Sequence, residues 1–368
     1  MESTKTLQAE IEKEIAETLD QVISDLKSQK ADPFLLGLYE KIKSFVSLGG
    51  KRLRPISSIM AFQACCPKAK LTPALRKSAM KVALGFELLH NSTLIHDDIM
   101  DQDELRRGAP TVWKMLANDL PSEMMTTEQS GGVLFRTAGA LHCVTHGILA
   151  GNILVGEALR LISEASAEAN CQGLFQTFVD AYLVVNYGQV EDISGKTGEE
   201  EYMRMIEKKT GALFRCAIIA GAKLGGARDE KLRALSKYSL EAAAAFQLFD
   251  DIMDIDPSSL KGHVPGSDIR QGKMTLLAVR ALKNAPKEKS EKLGKVLEMH
   301  NSGDANVPDE LIQECVQIIR DYSLESVKKT TEECVRNAKE ALEKMTWESE
   351  EAIQYFVDLA NFVSNRRI

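Results

Sequence analysis

The chain has 368 residues, 44% of them hydrophobic and 27% charged, which is the balance of a globular protein with a large core. Asp and Glu outnumber Lys and Arg by 53 to 46, and this acidic balance argues against nucleic-acid binding. Only 6% of the residues are aromatic, which disfavours an all-β fold.

The predicted elements are helices. The series begins with residues 5–28, where apolar side chains recur at steps of three and four opposite a charged face. The same period predicts helices over 74–100, 145–168, 172–192, 199–223, 229–254, 273–284, 308–319 and 325–345. No alternating β-branched run stands out. We therefore predict an all-α fold, a single large helical bundle domain over residues 1–368.

One stretch interrupts the helical pattern. Residues 115–140 lack a clean period at their centre and include Pro121 and Ser130-Gly131-Gly132, so a surface insertion is predicted there. No apolar run approaches the ~18 residues of a membrane span, so no transmembrane segment is expected. Seven cysteines without a C-x-x-C pair, after an acidic N-terminus unlike a signal peptide, predict reduced thiols in the cytoplasm.

The string DDIMD occurs twice, at residues 97–101 and 250–254, each time after an apolar helical run. Residues four apart share a helix face, which groups Asp97 with Asp101 and Asp250 with Asp254. Clustered carboxylates resist ionisation unless a cation neutralises them, and all-oxygen ligands favour magnesium or calcium. One such string is more often a solvated helix end, but two identical copies favour metals that bridge to a diphosphate. No register of 97–108 fits an EF-hand.

Cations cluster at the breaks between helices. Three of them, Lys51, Arg52 and Arg54, follow the glycine pair at 49–50. Further clusters are RRG at 106–108, KKTG at 208–211 and GK at 272–273. Glycine allows a backbone to approach a phosphate closely, and Arg and Lys supply charge-assisted donors. With the acidic strings, they predict a substrate that carries a polyphosphate group; no Walker A loop is present.

In this order, the segments resemble the signature motifs of trans-isoprenyl diphosphate synthases. They are GGKRLRP, ELLHNSTLIHDDIMDQDELRRGAPTVW, KKTGALF, FQLFDDIMD and GSDIRQGKMTL, between about Leu48 and Leu277. The first DDxxD motif, together with the QDELRRG string that follows it, is most similar to the corresponding segment of archaeal geranylgeranyl diphosphate synthases. The resemblance implies an isoprenoid-synthase fold around a deep central cavity, a homodimer, and magnesium-dependent prenyl chain elongation with three ions per site.

The resemblance also implies roles for individual residues. Metal binding is expected of Asp97, Asp98, Asp101, Asp250, Asp251 and Asp254. Contacts to the allylic diphosphate are expected of Arg106, Lys209, Thr210, Gln247 and Lys273. Contacts to isopentenyl diphosphate are expected of Lys51, Arg54, His90 and Arg107. The most direct catalytic roles are expected of Asp97, Asp98, Asp101, Arg106, Lys209 and Asp250.

The length of the product is expected to depend on the helix before the first DDxxD. Archaeal twenty-carbon enzymes commonly carry a bulky aromatic five residues before its first Asp, whereas this chain has Ser92. Leu89 and Phe86 follow at steps of three on about the same face. We therefore expect a product of twenty carbons (geranylgeranyl diphosphate) or longer.

The chain departs from the resembling family at one position. His263 stands where a lysine near the allylic diphosphate is usual, and Lys261 is a possible substitute. Since histidine is only partly charged near neutral pH, this change predicts weaker diphosphate affinity as the pH rises.

Several alternatives stay open. One is a synthase of farnesyl length, or of twenty-five carbons and longer. A second is a terpene cyclase or head-to-head condensing enzyme, which would not need Lys51, Arg54 and His90. A third is a non-catalytic subunit of a heteromeric synthase, which would be expected to lose aspartates from one string, whereas all six remain.

Overall fold

The computed structural model describes residues 2–128, 135–194, 198–255, 265–301 and 307–365. The chain divides into two compact units, the first formed by residues 1–59 and 69–178 and the second by residues 60–68 and 179–368. The prediction of a single domain, like that of a deep central cavity, stays a prediction.

The first unit is helical apart from one hairpin. Its helices are α1 (Glu2–Ser28), α2 (Pro33–Val46), α4 (Pro73–Met100), α5 (Val112–Asn118), α6 (Ser122–Thr126) and α7 (Ala138–Glu168). The hairpin pairs β1 (Leu105–Arg106) with β2 (Ala109–Pro110). Helix α3 (Leu53–Cys65) and helix α8 (Gly173–Ile193) each have residues in both units, and a 3-10 turn spans Lys68–Lys70.

The second unit is also helical. It contains α9 (Glu199–Ile206), a π-turn (Glu207–Gly211), α10 (Ala212–Leu224), α11 (Asp229–Ile255), α12 (Ser267–Arg270), α13 (Leu276–Asn284), α14 (Lys287–Asn301), α15 (Asp309–Tyr322), α16 (Leu324–Glu343) and α17 (Glu350–Asn365). Helix α11 packs along α16. The fully buried Tyr238 of α11 donates its hydroxyl hydrogen to the carbonyl of Phe356 at 2.7 Å, which satisfies its polar end inside the core.

Helices α4 and α7 form the core of the first unit. They approach closely at Gly85, where an added Cβ would come within 2.8 Å of the Ile162 side chain. At the solvent edge of this contact, Lys81 forms ion pairs with Glu164 and Glu168 at 2.8 and 2.6 Å. Helix α4 is therefore held firmly along the length that leads to its aspartates.

The all-α prediction is confirmed. The helices predicted at 5–28, 74–100, 172–192 and 229–254 are present to within three residues. Two others begin elsewhere: α7 at Ala138, because Thr137 caps it through the Ala140 amide, and α13 at Leu276, because Thr275 caps it. The segment predicted as an insertion, 115–140, contains the end of α5, all of α6 and the start of α7, and its Ser130-Gly131-Gly132 lies outside the described residues, so the insertion stays a prediction.

One described helix, Ala138–Glu168, is long and apolar enough to cross a membrane by length and composition alone, with a mean hydropathy of 1.4 over its most apolar window. This is the α7 that packs against α4 in the core of the first unit, and 39% of that window is buried. A core helix of this kind passes the same test, so the observation is weak evidence for a membrane span.

Candidate active site

The first DDIMD string ends helix α4. Asp98 points inward and is 1% exposed, and its Oδ1 accepts hydrogen bonds from Nε and Nη2 of Arg106, both at 2.5 Å. Burial raises the pKa of Asp98 to about 6, an effect that Arg106 opposes. The Trp113 indole donates to the backbone carbonyls of Asp98 and Asp103 and so fixes the turn after the helix.

Asp98 also has an oxygen that nothing in the described residues satisfies. Its Oδ2 is buried and has no hydrogen-bond partner there. A buried acceptor in this state is costly unless a ligand or ion completes it. The half-buried Asp97 precedes it, and Asp101 caps the helix. These oxygens therefore suit a hard cation.

The second DDIMD string ends helix α11. Asp251 is 4% exposed; its Oδ2 accepts from the Tyr202 hydroxyl and its Oδ1 accepts from Nε2 of Gln247 at 3.1 Å. Asp254 accepts from the amides of Ser267 and Asp268 at 3.1 and 3.0 Å, which ties α12 to the string. Asp251 is thus hydrogen-bonded through both oxygens.

Without a bound cation, these carboxylates take up a proton more readily than exposed carboxylates do. Burial raises the pKa of Asp250 to about 6 and that of Asp251 to about 7, and the nearby Asp268 adds to both shifts. Burial also raises the pKa of Asp254, again with a contribution from Asp268. A divalent cation would reverse this preference, since it favours the ionised carboxylate.

The KKTG segment forms the π-turn between α9 and α10, an irregularity often found at functional sites. Lys209 forms an ion pair with Asp192 at 2.5 Å. Thr210 donates to Oε1 of Gln247 at 3.0 Å, so a chain of hydrogen bonds runs from Thr210 through Gln247 to Asp251. Two residues implied for the allylic diphosphate, Thr210 and Gln247, are therefore in contact, and Gln247 also contacts an aspartate implied for metal binding.

The GGKRLRP loop has a strained backbone in the first unit. Gly49 and Gly50 have φ of 78° and 136°, and Arg52 has a φ of 47°. The Arg107 side chain lies over Gly50 and donates to the Gly49 carbonyl; a Cβ on Gly50 would come 2.9 Å from its Cζ. Gly50 is therefore required both for its positive φ and for the close approach of Arg107.

His90 lies among arginines. Burial lowers its pKa well below the usual range, and the charges of Arg54, Arg107, Arg106 and Arg52 lower it further. Nearby, Nε of Arg54 is a buried donor without a hydrogen-bond partner in the described part of the chain. This concentration of positive charge around a neutral imidazole suits a polyanion.

The three residues expected to set product length are all buried on α4. Ser92 is 1% exposed, and Leu89 and Phe86 are fully buried. The Phe86 ring packs against that of Phe178 with centroids 5.5 Å apart. The Ser92 hydroxyl has no hydrogen-bond partner among the described residues.

The sequence-predicted residues fall into two groups. In the first unit, Arg106 contacts Asp98, and Arg107 contacts the glycine loop. In the second unit, Lys273 is exposed and lies 3.5 Å from Asp268. His263 and Lys261 lie outside the described residues.

The sequence interpretation missed several contact residues: Glu87, Asp192, Tyr202 and Asp268. Asp268 belongs to the GSDIRQGKMTL motif, and this was the signal in the sequence that could have placed it next to the second string. Within the described ranges, no three His, Cys, Asp or Glu side chains already form a metal site.

Comparisons with known proteins identify the family of this chain. Residues 37–315 match the polyprenyl synthetase family. The geranylgeranyl diphosphate synthase of Methanosarcina mazei is 35% identical over 68% of this chain and 69% of its own. The short chain isoprenyl diphosphate synthase of Methanothermobacter thermautotrophicus is 32% identical over 87% and 88%.

Solved structures show the same fold. The geranylgeranyl pyrophosphate synthase of Corynebacterium glutamicum, solved with isoprenyl diphosphate and magnesium, has a TM-score of 0.80 at 24% identity and covers 97% of this chain and 99% of that one. The chain belongs to the polyprenyl synthetase family, and it is a trans-prenyltransferase that acts on isoprenyl diphosphates.

Proposed function

We propose that the protein condenses isopentenyl diphosphate head to tail with allylic diphosphates and releases a product of twenty carbons or longer. The observation that carries this proposal is the state of the two DDIMD strings. Each includes buried aspartates with raised pKa values, and each contacts residues expected to bind the allylic diphosphate, Arg106 in one case and Gln247 in the other.

Magnesium is the cation that fits these strings, and we propose three ions per site. The unsatisfied Oδ2 of Asp98 and the raised pKa values of Asp250 and Asp251 support this fit. The residues that would hold the ions are Asp97, Asp98, Asp101, Asp250, Asp251 and Asp254. When bound, magnesium neutralises the negative charge that develops on the leaving diphosphate.

The side chains of the protein supply the rest of the chemistry. Arg106 and Lys209 are now paired with Asp98 and Asp192 and would donate to the allylic diphosphate, whose carbon–oxygen bond breaks. The isopentenyl double bond attacks the resulting allylic cation, and the proton lost from the new chain goes to the departing diphosphate. Buried surroundings exclude water, which would otherwise quench the cation.

Isopentenyl diphosphate would bind to the cluster around His90. The proposed ligands are Lys51, Arg54, His90 and Arg107. Among the described residues Nε of Arg54 has no hydrogen-bond partner, which supports this assignment, since a diphosphate oxygen would accept its hydrogen. His90 would bind as a neutral hydrogen-bond donor, because its pKa is held low.

We also propose a homodimer. Helix α7 exposes Leu141, Ile148 and Leu149, each at 44–47% of full exposure, an apolar set that an interface would cover. Light scattering during gel filtration is expected to give twice the chain mass of 40.6 kDa. A monomer that is fully active would contradict this prediction.

One assay tests the proposed function. The protein is incubated with magnesium, labelled isopentenyl diphosphate and either a ten- or a fifteen-carbon allylic diphosphate, and the dephosphorylated products are separated by chromatography. We expect label in chains of twenty carbons or more. Label in fifteen-carbon chains alone would identify a farnesyl-length synthase. Unincorporated label would point to a non-catalytic subunit, and a cyclised product to a terpene cyclase.

A further inference from the structure

A buried ion pair lies beside the glycine loop in the first unit. Nη1 of Arg52 and Oε1 of Glu87 are 2.6 Å apart, and the two residues are 4% and 2% exposed. Arg52 follows Lys51 directly in the cationic loop, yet its side chain points into the protein. There, its Nη2 donates to the carbonyl of Val46, the last residue of α2, at 2.7 Å.

The carboxylate of Glu87 is itself held in place. Nδ2 of Asn91, one turn further along α4, donates to Oε1 of Glu87 at 3.2 Å and to its backbone carbonyl at 2.8 Å. The position of Glu87 is thus fixed by the helix, and Arg52 is fixed by Glu87. Because Arg52 belongs to the loop backbone, the contacts of its side chain also hold the neighbouring loop residues in place.

Glu87 acts on three arginines: it pairs with Arg52, and its charge affects Arg54 and Arg107. Burial lowers the pKa of Arg54 and of Arg107, and in both cases the charge of Glu87 acts in the opposite direction. Glu87 is therefore an internal counter-charge for the arginines that would receive isopentenyl diphosphate. Without Glu87, Arg52 would keep, among the described residues, only the Val46 carbonyl and the more distant Glu12 carboxylate, 3.8 Å from its Nε, and its position would be less well fixed.

We propose that Glu87 is a positioning residue for isopentenyl diphosphate: by holding Arg52 inward, it sets the loop so that Lys51 and Arg54 reach the diphosphate. This inference rests on the proposed function. Charge alone and positioning predict opposite changes in the KM for isopentenyl diphosphate, so the direction of the measured change distinguishes them. Removing a negative charge near an anion site strengthens anion binding by charge alone, whereas losing the position of the loop weakens it.

The test is Glu87→Gln, which keeps the size of the side chain and removes its charge. We expect the KM for isopentenyl diphosphate to rise roughly tenfold, the factor that corresponds to one charge-assisted hydrogen bond. The KM for the allylic substrate and the kcat at saturation should stay within about twofold. An isopentenyl KM that is unchanged or lower would overturn the inference.

A second variant separates positioning from stability. Arg52→Met combined with Glu87→Leu removes both partners and leaves no unpaired buried charge, so its Tm should exceed that of Glu87→Gln. Its isopentenyl KM should nevertheless stay raised. Recovery of the KM along with the Tm would mean that Glu87 acts only through stability and would overturn the inference.

Lys81→Met is the matched control. Lys81 also lies on α4 and pairs with Glu164 and Glu168, so this variant should lower the Tm and leave the isopentenyl KM unchanged. The activity of the unmodified protein separates a failure of the proposed function from a failure of this inference. If it fails to incorporate labelled isopentenyl diphosphate, the proposed function is wrong. If it incorporates label and Glu87→Gln behaves like Lys81→Met, only the role of Glu87 is wrong.

Discussion

His90 lies where burial and four arginines all disfavour a proton on its ring, so its pKa in the folded protein is well below 6.5. The unfolded chain takes up a proton at this histidine as the pH falls through about 6.5, and the folded protein resists it. The contribution of His90 to stability is therefore complete above that pH and is lost as the pH falls below it.

The variant His90→Gln tests this consequence. Gln keeps a neutral donor and has no group that titrates in this range. We expect the Tm of the unmodified protein to fall more steeply than that of His90→Gln between pH 7 and pH 5. The other titrating groups are common to both proteins, so parallel curves would show that the pKa of His90 is not lowered.

Ser92 provides a test of product length at a single position. A phenylalanine there would extend toward the space that the growing chain is proposed to enter, so Ser92→Phe should shorten the product by at least one five-carbon unit. Phe86→Ala removes a ring lower on the same helix and should lengthen it. Chromatography of the products compares the two. Identical products from both variants would place the end of the cavity elsewhere.

At the scale of elements, the glycine loop and the hairpin that carries Arg107 depend on each other. Gly50→Ala introduces a side chain at a φ of 136° and 2.9 Å from the Arg107 guanidinium carbon. We expect a loss of ~1 kcal/mol or more in the free energy of unfolding, measured by urea titration, together with a raised KM for isopentenyl diphosphate.

Gly37→Ala is the control for that loss. Gly37 lies inside helix α2, and apart from its chain neighbours and the backbone of that helix, no described heavy atom lies within 4 Å of an added Cβ. Alanine there should stabilise the protein by ~0.5–1 kcal/mol, because glycine loses more backbone entropy in a helix. Similar behaviour of the two variants would show that Gly50 is not needed for its conformation.

The sequence predicted the long helices well and several shorter helices poorly. Helix α1 buries Ile11, Ile15, Leu19 and Ile23 at regular steps, and this pattern is visible without a structure. Helices α2, α3, α14 and α17 were not predicted. For α3, the glycines before Leu53 indicated a longer break than the chain makes. For α14, the polar sequence KEKSEKLGK conceals the short apolar stripe that includes the buried Leu293 and Val296.

The candidate site shows the same division. The aspartates and cations could be proposed as site residues from the sequence, because their types and spacing carry the chemistry, and their roles stay predictions. Glu87 and Tyr202 could not, since a Glu or a Tyr in a helical pattern is usually taken as a surface or core residue. Only packing shows that α4 buries Glu87 beside Arg52, and that α9 brings the Tyr202 hydroxyl to Asp251.

At the scale of the whole molecule, the buried aspartates make stability depend on ligand. Magnesium with inorganic pyrophosphate should bind the folded protein alone and raise its Tm by several degrees, since ligand at 100 times its Kd contributes about 2.7 kcal/mol. Asp250→Asn should abolish this shift. Asp229→Asn, at the exposed beginning of the same helix, should retain it. An equal shift in both variants would mean that the second string does not take part.

The π-turn at Glu207–Gly211 is a one-residue insertion in a helix, a feature that can be followed through related sequences. A turn of this type holds one residue more than its α-helical neighbours, so everything after it is rotated by about 100° relative to a continuous helix. A one-residue deletion there would leave an ordinary helix and would move Lys209 or Thr210 away from its present partner, Asp192 for the first and Gln247 for the second. Lineages that retain the chemistry are therefore expected to retain this extra residue, even where the surrounding sequence has diverged.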